Sequence, residues 1–363
     1  MKPFVPDTLP LPTLDWEPLV RLVGEANAAL ARFDGILQGI INPGVLLSPL
    51  TTQEAVLSSK IEGTEATLQE VLEFEASPTP EGRKAEDIRE IVNYRIALQT
   101  AVKLLEKLPI SLNMVKEIHA ILLASVRGKN KGRGEFRSDQ NWIGKPGCKI
   151  EEAMYVPPEP LQLLEHLSNW EKYVHYDEKD RLVQLAVIHA QFEIIHPFLD
   201  GNGRVGRILI PLFLFEKGLL SSPVFYLSAY LEANRDVYYD RLESISASKD
   251  WQGWILFFLT AVMEQAKRNS EKAKEILKVY DDMKKEISRI TRSQFSIQAL
   301  DCLFMIPIFK TTDFIERSGI PKPTALRILN ALEKAKVILP IRKGKGRRAG
   351  VLMFPKLLEI AQK

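Results

Sequence analysis

Apolar residues recur at helical spacing along most of the chain. Leu19, Leu22, Val23, Ala26, Ala29 and Leu30 share one face of a helix that starts near Asp15 or Glu17, after a proline-rich opening that predicts an extended segment over the surface. Asn42-Pro43-Gly44 breaks the next segment. Thr51 to Ala76 reads as a helix interrupted or capped at Gly63, and Ala85 to Leu108 and Asn113 to Ser125 as two amphipathic helices separated by Pro109. Lys145-Pro146-Gly147 predicts a turn leading to Ala153-Met154-Tyr155-Val156, a short hairpin that Pro157-Pro158 stops. Two more helices are predicted at Pro160 to Val174 and at Asp180 to Ile195, the second burying Leu182, Leu185, Ala186, His189 and Phe192. Val205 to Lys217 is a further helix with Pro211 inside it, and Trp251 to Met263 a buried one.

Composition changes this picture little. At 363 residues the chain exceeds one ordinary core, so two or three domains are expected. A net charge of +3 is too small to argue for nucleic acid by itself, so any basic effect must be local. Cys148 and Cys302 lie far apart with no metal-like spacing, which suits a reducing compartment. The opening residues contain no apolar signal-peptide core, and the longest apolar run, Trp254 to Met263, is about half the roughly 20 residues that cross a bilayer. A cytoplasmic location without membrane partners is the expectation.

The densest chemistry lies in His196 to Arg207, HPFLDGNGRVGR. Gly201 and Gly203 flank Asn202, so three successive amides can turn toward one anion at the start of a helix. His196, with an ordinary pKa of roughly 6.5, suits a general base. Asp200 suits Mg2+, which takes one or two carboxylates and completes its shell with phosphates and water. Arg204 and Arg207, three apart, can both face phosphates with forked donors. Taken singly, each of these features also occurs in ordinary loops and solvated helix faces; together they favour a site.

This stretch resembles the signature of the Fic family, HPFx[DE]GNGRxxR, at every fixed position. The resemblance implies a Fic-type helical bundle with a small β-hairpin flap, and transfer of AMP from ATP to a Ser, Thr or Tyr hydroxyl of a target protein. By the same resemblance His196 is the base, Asp200 the ligand of Mg2+, and Phe198 the buried pin beneath the loop. Gly201, Asn202, Gly203, Arg204, Val205, Gly206 and Arg207 would line the nucleotide, with the two arginines on its β- and γ-phosphates. Asn234, in NRDVYY, would approach the adenine or ribose. GEFR at Gly134 to Arg137 and NWIG at Asn141 to Gly144 are recurrent family sequences leading to the flap, where Met154, Tyr155 and Val156 would dock a target peptide by its main chain. The basic, glycine-rich loop before them lacks the GxxxxGK[ST] phosphate-loop pattern.

Ser58-Ser59-Lys60-Ile61-Glu62-Gly63 fits the family's inhibitory pattern [ST]xxxE[GN]. Ser58 and Glu62 are four apart and share a helix face, with the carboxylate near a helix end that favours cations, so an outside partner is expected. The resemblance implies that Glu62 pairs with Arg207 and occupies the space of the γ-phosphate, with Gly63 closing the motif. The resemblance thus points to the class with an N-terminal inhibitory helix. In some relatives the equivalent glutamate also supports removal of AMP, and other nucleotide donors occur in the same fold.

Four segments are thus expected: an N-terminal helical region with the inhibitory helix at 1–80, the catalytic core at 81–265, a charged helical connector at 266–295 and a C-terminal module at 296–363. In the last, TTDFIERSGIPKPTALRILNALEKAKVI reads as helix, turn and helix, and IRKGKGRRAGVLMF as two strands around a basic tip. That is a winged-helix pattern. Its cations, Lys322, Arg327, Arg342, Lys343, Lys345, Arg347 and Arg348, suit DNA phosphates, whereas the second helix offers few side chains for base edges; a DNA-binding regulator that uses the Fic fold as a nucleotide sensor, and a protein-interaction module, both stay open. ATP and a hydroxyl-bearing target are the implied partners, with a homodimer compatible.

Overall fold

The regular elements, in chain order, are α1 Val20–Gln38, α2 Pro43–Leu46, α3 Ser48–Ile61, α4 Leu68–Ala76, α5 Arg83–Leu105, α6 Leu112–Leu122, α7 Leu163–Val174, α8 Arg181–Ile195, α9 Asn202–Glu216, α10 Ser228–Ala233, α11 Arg235–Ser248 and α12 Trp251–Thr291, followed by α13 Ser296–Met305, β1 Ile308–Lys310, α14 Thr311–Ser318, α15 Lys322–Lys334, β2 Leu339–Arg342, β3 Val351–Met353 and α16 Pro355–Gln362. The structure is a computed structural model and describes residues 2–78, 82–124, 132–145, 147–342 and 350–362. It forms two units, residues 1–34 with 93–267 and residues 35–92 with 268–363.

The first unit is built around α8. Nearly every residue from Leu182 to Ile195 is buried, so this helix is covered on all sides rather than on one stripe. Asp180 starts it, its carboxylate accepting from the Leu182 and Val183 amides at 2.9 Å each. Helices α7, α9 and α11 pack against it. Two buried tryptophans are fastened to its backbone, Trp170 through Nε1–H to the Ile188 carbonyl (2.9 Å) and Trp254 to that of Ala186 (2.8 Å). His189 is also core: its Nε2 lies 3.0 Å from the Tyr238 hydroxyl and its Nδ1 3.3 Å from the Gly206 carbonyl. The proline-rich opening is extended as expected and is held by side-chain amides, Asn169 bonding both the N–H and the carbonyl of Leu9 and Gln191 the carbonyl of Asp7.

Among the described residues, pairing in the expected flap is a single antiparallel bridge, Ile143 with Tyr155. A 3-10 turn at Ile150–Glu152 lies between the two arms and uses the backbone that a longer ladder would need. Pro146 of the expected turn lies outside the described residues.

In the second unit α3 packs against α13 and α16, and α4 against β1. The helix expected from Thr51 to Ala76 is indeed interrupted at Gly63, which has φ of +94°. A capping box then restarts it, Thr67 Oγ1 accepting from the Glu70 amide while the Glu70 carboxylate accepts from that of Thr67. The C-terminal elements run α13-β1-α14-α15-β2-β3, with an antiparallel sheet in the order β1-β3-β2 and an irregularity in β2 between Pro340 and Arg342. Residues 343–349, with four of the expected wing-tip cations, lie outside the described residues.

The charged stretch read as a separate connector is the continuation of α12, a single helix of 41 residues. No proline and no glycine beyond Gly253 interrupts it, so the change from apolar to charged composition changes what the helix faces and not the helix itself. Among the described residues, no helix is long and apolar enough to cross a membrane.

Burial holds the His189 imidazole neutral, its pKa pushed down to about 3, with the Arg207 charge adding to the effect. The folded value lies below the roughly 6.5 of an unfolded chain, so its stabilising contribution is complete above pH 6.5 and is lost as pH falls toward 3. Denaturant unfolding measured between pH 7 and pH 5 should show stability falling below pH 6.5, by about 1.4 kcal/mol per pH unit for this histidine; a flat profile would mean that His189 is not held neutral.

Candidate active site

The site grows from the C-terminal end of α8. His196 caps the helix in the left-handed region, φ 48° and ψ 61°, where the following proline predicts an extended conformation. The tertiary bonds around it overrule that local preference. Its N–H donates to the Phe192 carbonyl at 3.0 Å, which closes the helix, and its carbonyl accepts from Arg137 Nε at 3.0 Å. The ring Nδ1 is 3.2 Å from the Glu193 carbonyl. A carbonyl can only accept, so Nδ1 carries a proton, and in the neutral ring the lone pair is on Nε2.

Arg137 is the fastener of this turn. It is buried, and besides His196 it donates from Nη2 to the Pro158 carbonyl at 2.6 Å and from Nη1 to that of Asp139 at 3.3 Å, while its backbone N–H reaches the Pro197 carbonyl at 2.9 Å. Burial lowers the guanidinium pKa to about 10, which leaves it charged at neutral pH. Its acceptors include the carbonyl that ends α8, the negative end of that helix dipole, which offsets the cost of burying the charge.

Beyond the turn, Phe198 is fully buried and stacks on His119, ring centroids 3.7 Å apart and planes within 10°. The His119 Nδ1 accepts from the Gly134 amide at 3.0 Å, so Nε2 bears the proton and donates to the Asp200 carbonyl, also at 3.0 Å. This ring therefore ties the GEFR stretch to the signature loop, and burial keeps it neutral, its pKa lowered to about 4. Asn202 closes the loop on itself: Oδ1 accepts from the Phe198 amide and Nδ2 donates to the Phe198 carbonyl, both at 2.8 Å. Asn141, of NWIG, donates to that carbonyl as well, at 3.1 Å.

Gly201, with φ of 81°, precedes α9 in a conformation that favours glycine, and α9 starts at Asn202. The first-turn amides of α9 have no preceding helical carbonyl to bond, so they present positive charge where the signature turns. Asp200 is half-exposed there, its Oδ1 3.3 Å from Arg204 Nη2. Arg204 and Arg207 are both buried, Arg207 beside His189. Val205 and Gly206 are buried, and the Glu193 carboxylate occupies the space that a side chain at 206 would need, its Oε1 2.3 Å from where a Cβ would stand.

Asn234 stands at the junction of α10 and α11, its Nδ2 donating to the Tyr230 carbonyl at 2.9 Å. Of the flap residues, Met154 is exposed. Tyr155 is half-buried and Val156 buried, with the Tyr155 hydroxyl donating to the Ile194 carbonyl at 2.8 Å and the Val156 carbonyl accepting from the Phe4 amide at 2.9 Å. Ser58 is buried in α3, and Glu62 stands exposed at its C-terminal cap, followed by Gly63; all three belong to the second unit. His119 and the role of Arg137 were not legible in the sequence. Only the GEFR resemblance pointed near Arg137, and His119 sits on an ordinary amphipathic helix.

A buried helix ending in a clamped histidine, followed by a tight loop and a helix N-terminus with two buried arginines, defines a helical protein with a candidate phosphate-binding site. The chain belongs to the Fic/DOC family: a model described as Fic/DOC family N-terminal matches residues 20–103 and one described as Fic/DOC family matches residues 109–214, together more than half of the chain. It is 36% identical over 115 residues to a probable protein adenylyltransferase of Aquifex aeolicus, covering 30% of this chain and 32% of the relative. It is 28% identical over 203 residues to the protein adenylyltransferase Fic of Drosophila grimshawi, covering 54% of this chain and 37% of the relative. The match thus spans about a third of the length of these curated relatives. In fold it resembles a Fic family protein from Desulfovibrio desulfuricans G20, with a TM-score of 0.60 at 18% identity over 94% of this chain and 97% of that one. It also resembles Fic-1 from C. elegans, with a TM-score of 0.53 at 20% identity over 72% and 75%.

The Asn202 clamp makes a testable difference between its two bonds. Asn202→Ala leaves the buried Phe198 amide without its acceptor and should cost about 1–3 kcal/mol in denaturant unfolding. Asn202→Asp keeps that acceptor but turns a second oxygen toward the Phe198 carbonyl, so it should recover part of the loss only as falling pH protonates the buried carboxyl; equal damage from both across that pH range would deny the amide bond this role.

Proposed function

We propose that the chain is a protein adenylyltransferase that moves AMP from ATP to a hydroxyl side chain of a target protein and is held back by Glu62. The observation that carries the reading is the geometry of His196: a left-handed cap whose Nδ1 faces a carbonyl, directing the Nε2 lone pair to the reaction. The Fic/DOC membership and the curated adenylyltransferase relatives support the same activity.

In this reading His196 Nε2 takes the proton of the target hydroxyl as its oxygen bonds to the α-phosphorus. The bond from that phosphorus to the bridging oxygen breaks, and pyrophosphate leaves. The first-turn amides of α9 hold the phosphates, and Arg204 and Arg207 add forked donors on their outer end. Asp200 is the residue that would hold Mg2+: it is a half-exposed carboxylate at the mouth of the amide cradle. Among the described residues no group of three or more His, Cys, Asp or Glu is arranged for a metal, which fits an ion whose other ligands are substrate phosphates and water. When bound, the ion would neutralise charge developing on the leaving phosphates. Arg137 and His119 position the machinery, the first through the backbone of His196 and the second through the carbonyl of Asp200.

Inhibition is proposed through Glu62, which would withdraw Arg207 from the γ-phosphate. Misplacing the α-phosphate by about 1 Å can cost on the order of a hundredfold in rate. The packing of α3 supports a regulated brake, because the helix that Glu62 caps is held by α13 and α16 of the C-terminal elements. A target would meet the arm around Met154, the exposed one of the three flap residues.

The test is transfer of label from α-labelled ATP to protein with Mg2+, a cell lysate supplying targets. Glu62→Gly should label strongly, the unmodified chain weakly, and Glu62→Gly with His196→Ala about a hundredfold less than Glu62→Gly or lower. Absence of label in all three would overturn AMP transfer; equal label with and without His196 would overturn its role as base.

A further inference from the structure

Charge is divided unevenly along this chain. Residues 296–363 hold thirteen Lys and Arg against five Asp and Glu, whereas residues 1–295 hold 36 against 41. The modest net charge of +3 thus conceals a strongly basic C-terminal segment on an acidic remainder. Composition of this kind favours a polyanionic partner, and the fold says which part of the segment would meet it.

That part is α15. Ala325, Ile328, Leu329 and Leu332 are buried and fix one face of the helix in the core. The opposite face is exposed and carries Lys322, Leu326, Arg327, Asn330 and Lys334, with Glu333 as its one acid. The helix comes after α14 across a short turn in which Gly319 takes φ of +64°, and it precedes the β2-β3 hairpin, the order of a helix-turn-helix with a wing. Lys322 and Lys334 stand twelve positions apart, about 18 Å along the axis. That span suits phosphates on the two sides of a major groove about 12 Å wide. Between them, Arg327, whose Nη1 lies 3.5 Å from the Thr291 carbonyl, keeps its remaining donors for a guanine edge, Asn330 has the paired donor and acceptor for adenine, and Leu326 an apolar contact for a thymine methyl.

We infer that the C-terminal module binds duplex DNA, with the exposed face of α15 in the major groove. Binding draws mainly on phosphates, since only two polar side chains of that face suit base edges. Sequence preference is accordingly modest, and affinity depends steeply on salt. The inference stands apart from AMP transfer, because it requires neither His196 nor nucleotide.

The experiment is fluorescence anisotropy of the full chain with a labelled mixed-sequence duplex of about 20 base pairs, over about 50–200 mM salt. The unmodified chain should bind with an affinity that falls about tenfold or more across that range. Lys322→Ala with Lys334→Ala should weaken binding about tenfold or more at low salt and reduce the magnitude of the log–log salt slope by about two. Both side chains are exposed, so an unchanged thermal melt verifies that the double variant is folded. Retained affinity in the folded double variant would overturn the assigned surface. No binding of duplex at low salt, or equal binding of single strands and of anionic lipid vesicles, would overturn duplex recognition. His196→Ala should bind as the unmodified chain does, so a failure of AMP transfer and a failure of DNA binding are told apart.

Discussion

The site depends on one buried guanidinium. Arg137 donates to the carbonyls of Asp139, Pro158 and His196, and its own amide holds that of Pro197. Without these bonds the left-handed turn at His196 would place polar backbone in the interior without partners, in a conformation that proline does not favour for the residue before it. With them, the end of α8 becomes a fixed point from which a histidine ring can be aimed. The charge is tolerated because backbone carbonyls surround it, among them the one at the negative end of the core helix.

From that point the order propagates by short-range constraint. Phe198 is driven inward, the stacked His119 ring supports it, and the same ring holds the Asp200 carbonyl through its protonated nitrogen. Asn202 and Asn141 satisfy the backbone that a loop this tight would otherwise bury unpaired. What is left for function is the first turn of α9, with its amides aligned. Little in this loop can move alone.

The second unit presents a different kind of constraint. There the helix ending at Glu62 shares a core with α13 and α16, while α15 of the same unit shows a basic face to solvent. A residue at a helix end is sensitive to how that helix is seated, so the position of Glu62 depends on the C-terminal elements packed against α3.

Much of this was written in local patterns. HPFLDGNGRVGR announced histidine, carboxylate, glycine turn and arginines because the chemistry is compressed into twelve neighbouring residues, and the interruption at Gly63 could be read because glycine alone takes positive φ without strain. Helix spacing located α8 and α9 for the same reason: burial on a periodic lattice leaves a periodic trace. The sequence by itself therefore determined the family signature, the helical class and the residues that meet in the loop. Only the tertiary structure decided that His196 turns left-handed before a proline, that His119 and Arg137 lock it, that the flap pairs at one bridge, and that α12 runs unbroken through its change of composition. Each of these depends on partners far away along the chain, through buried polar bonds whose donors and acceptors leave no periodicity in sequence.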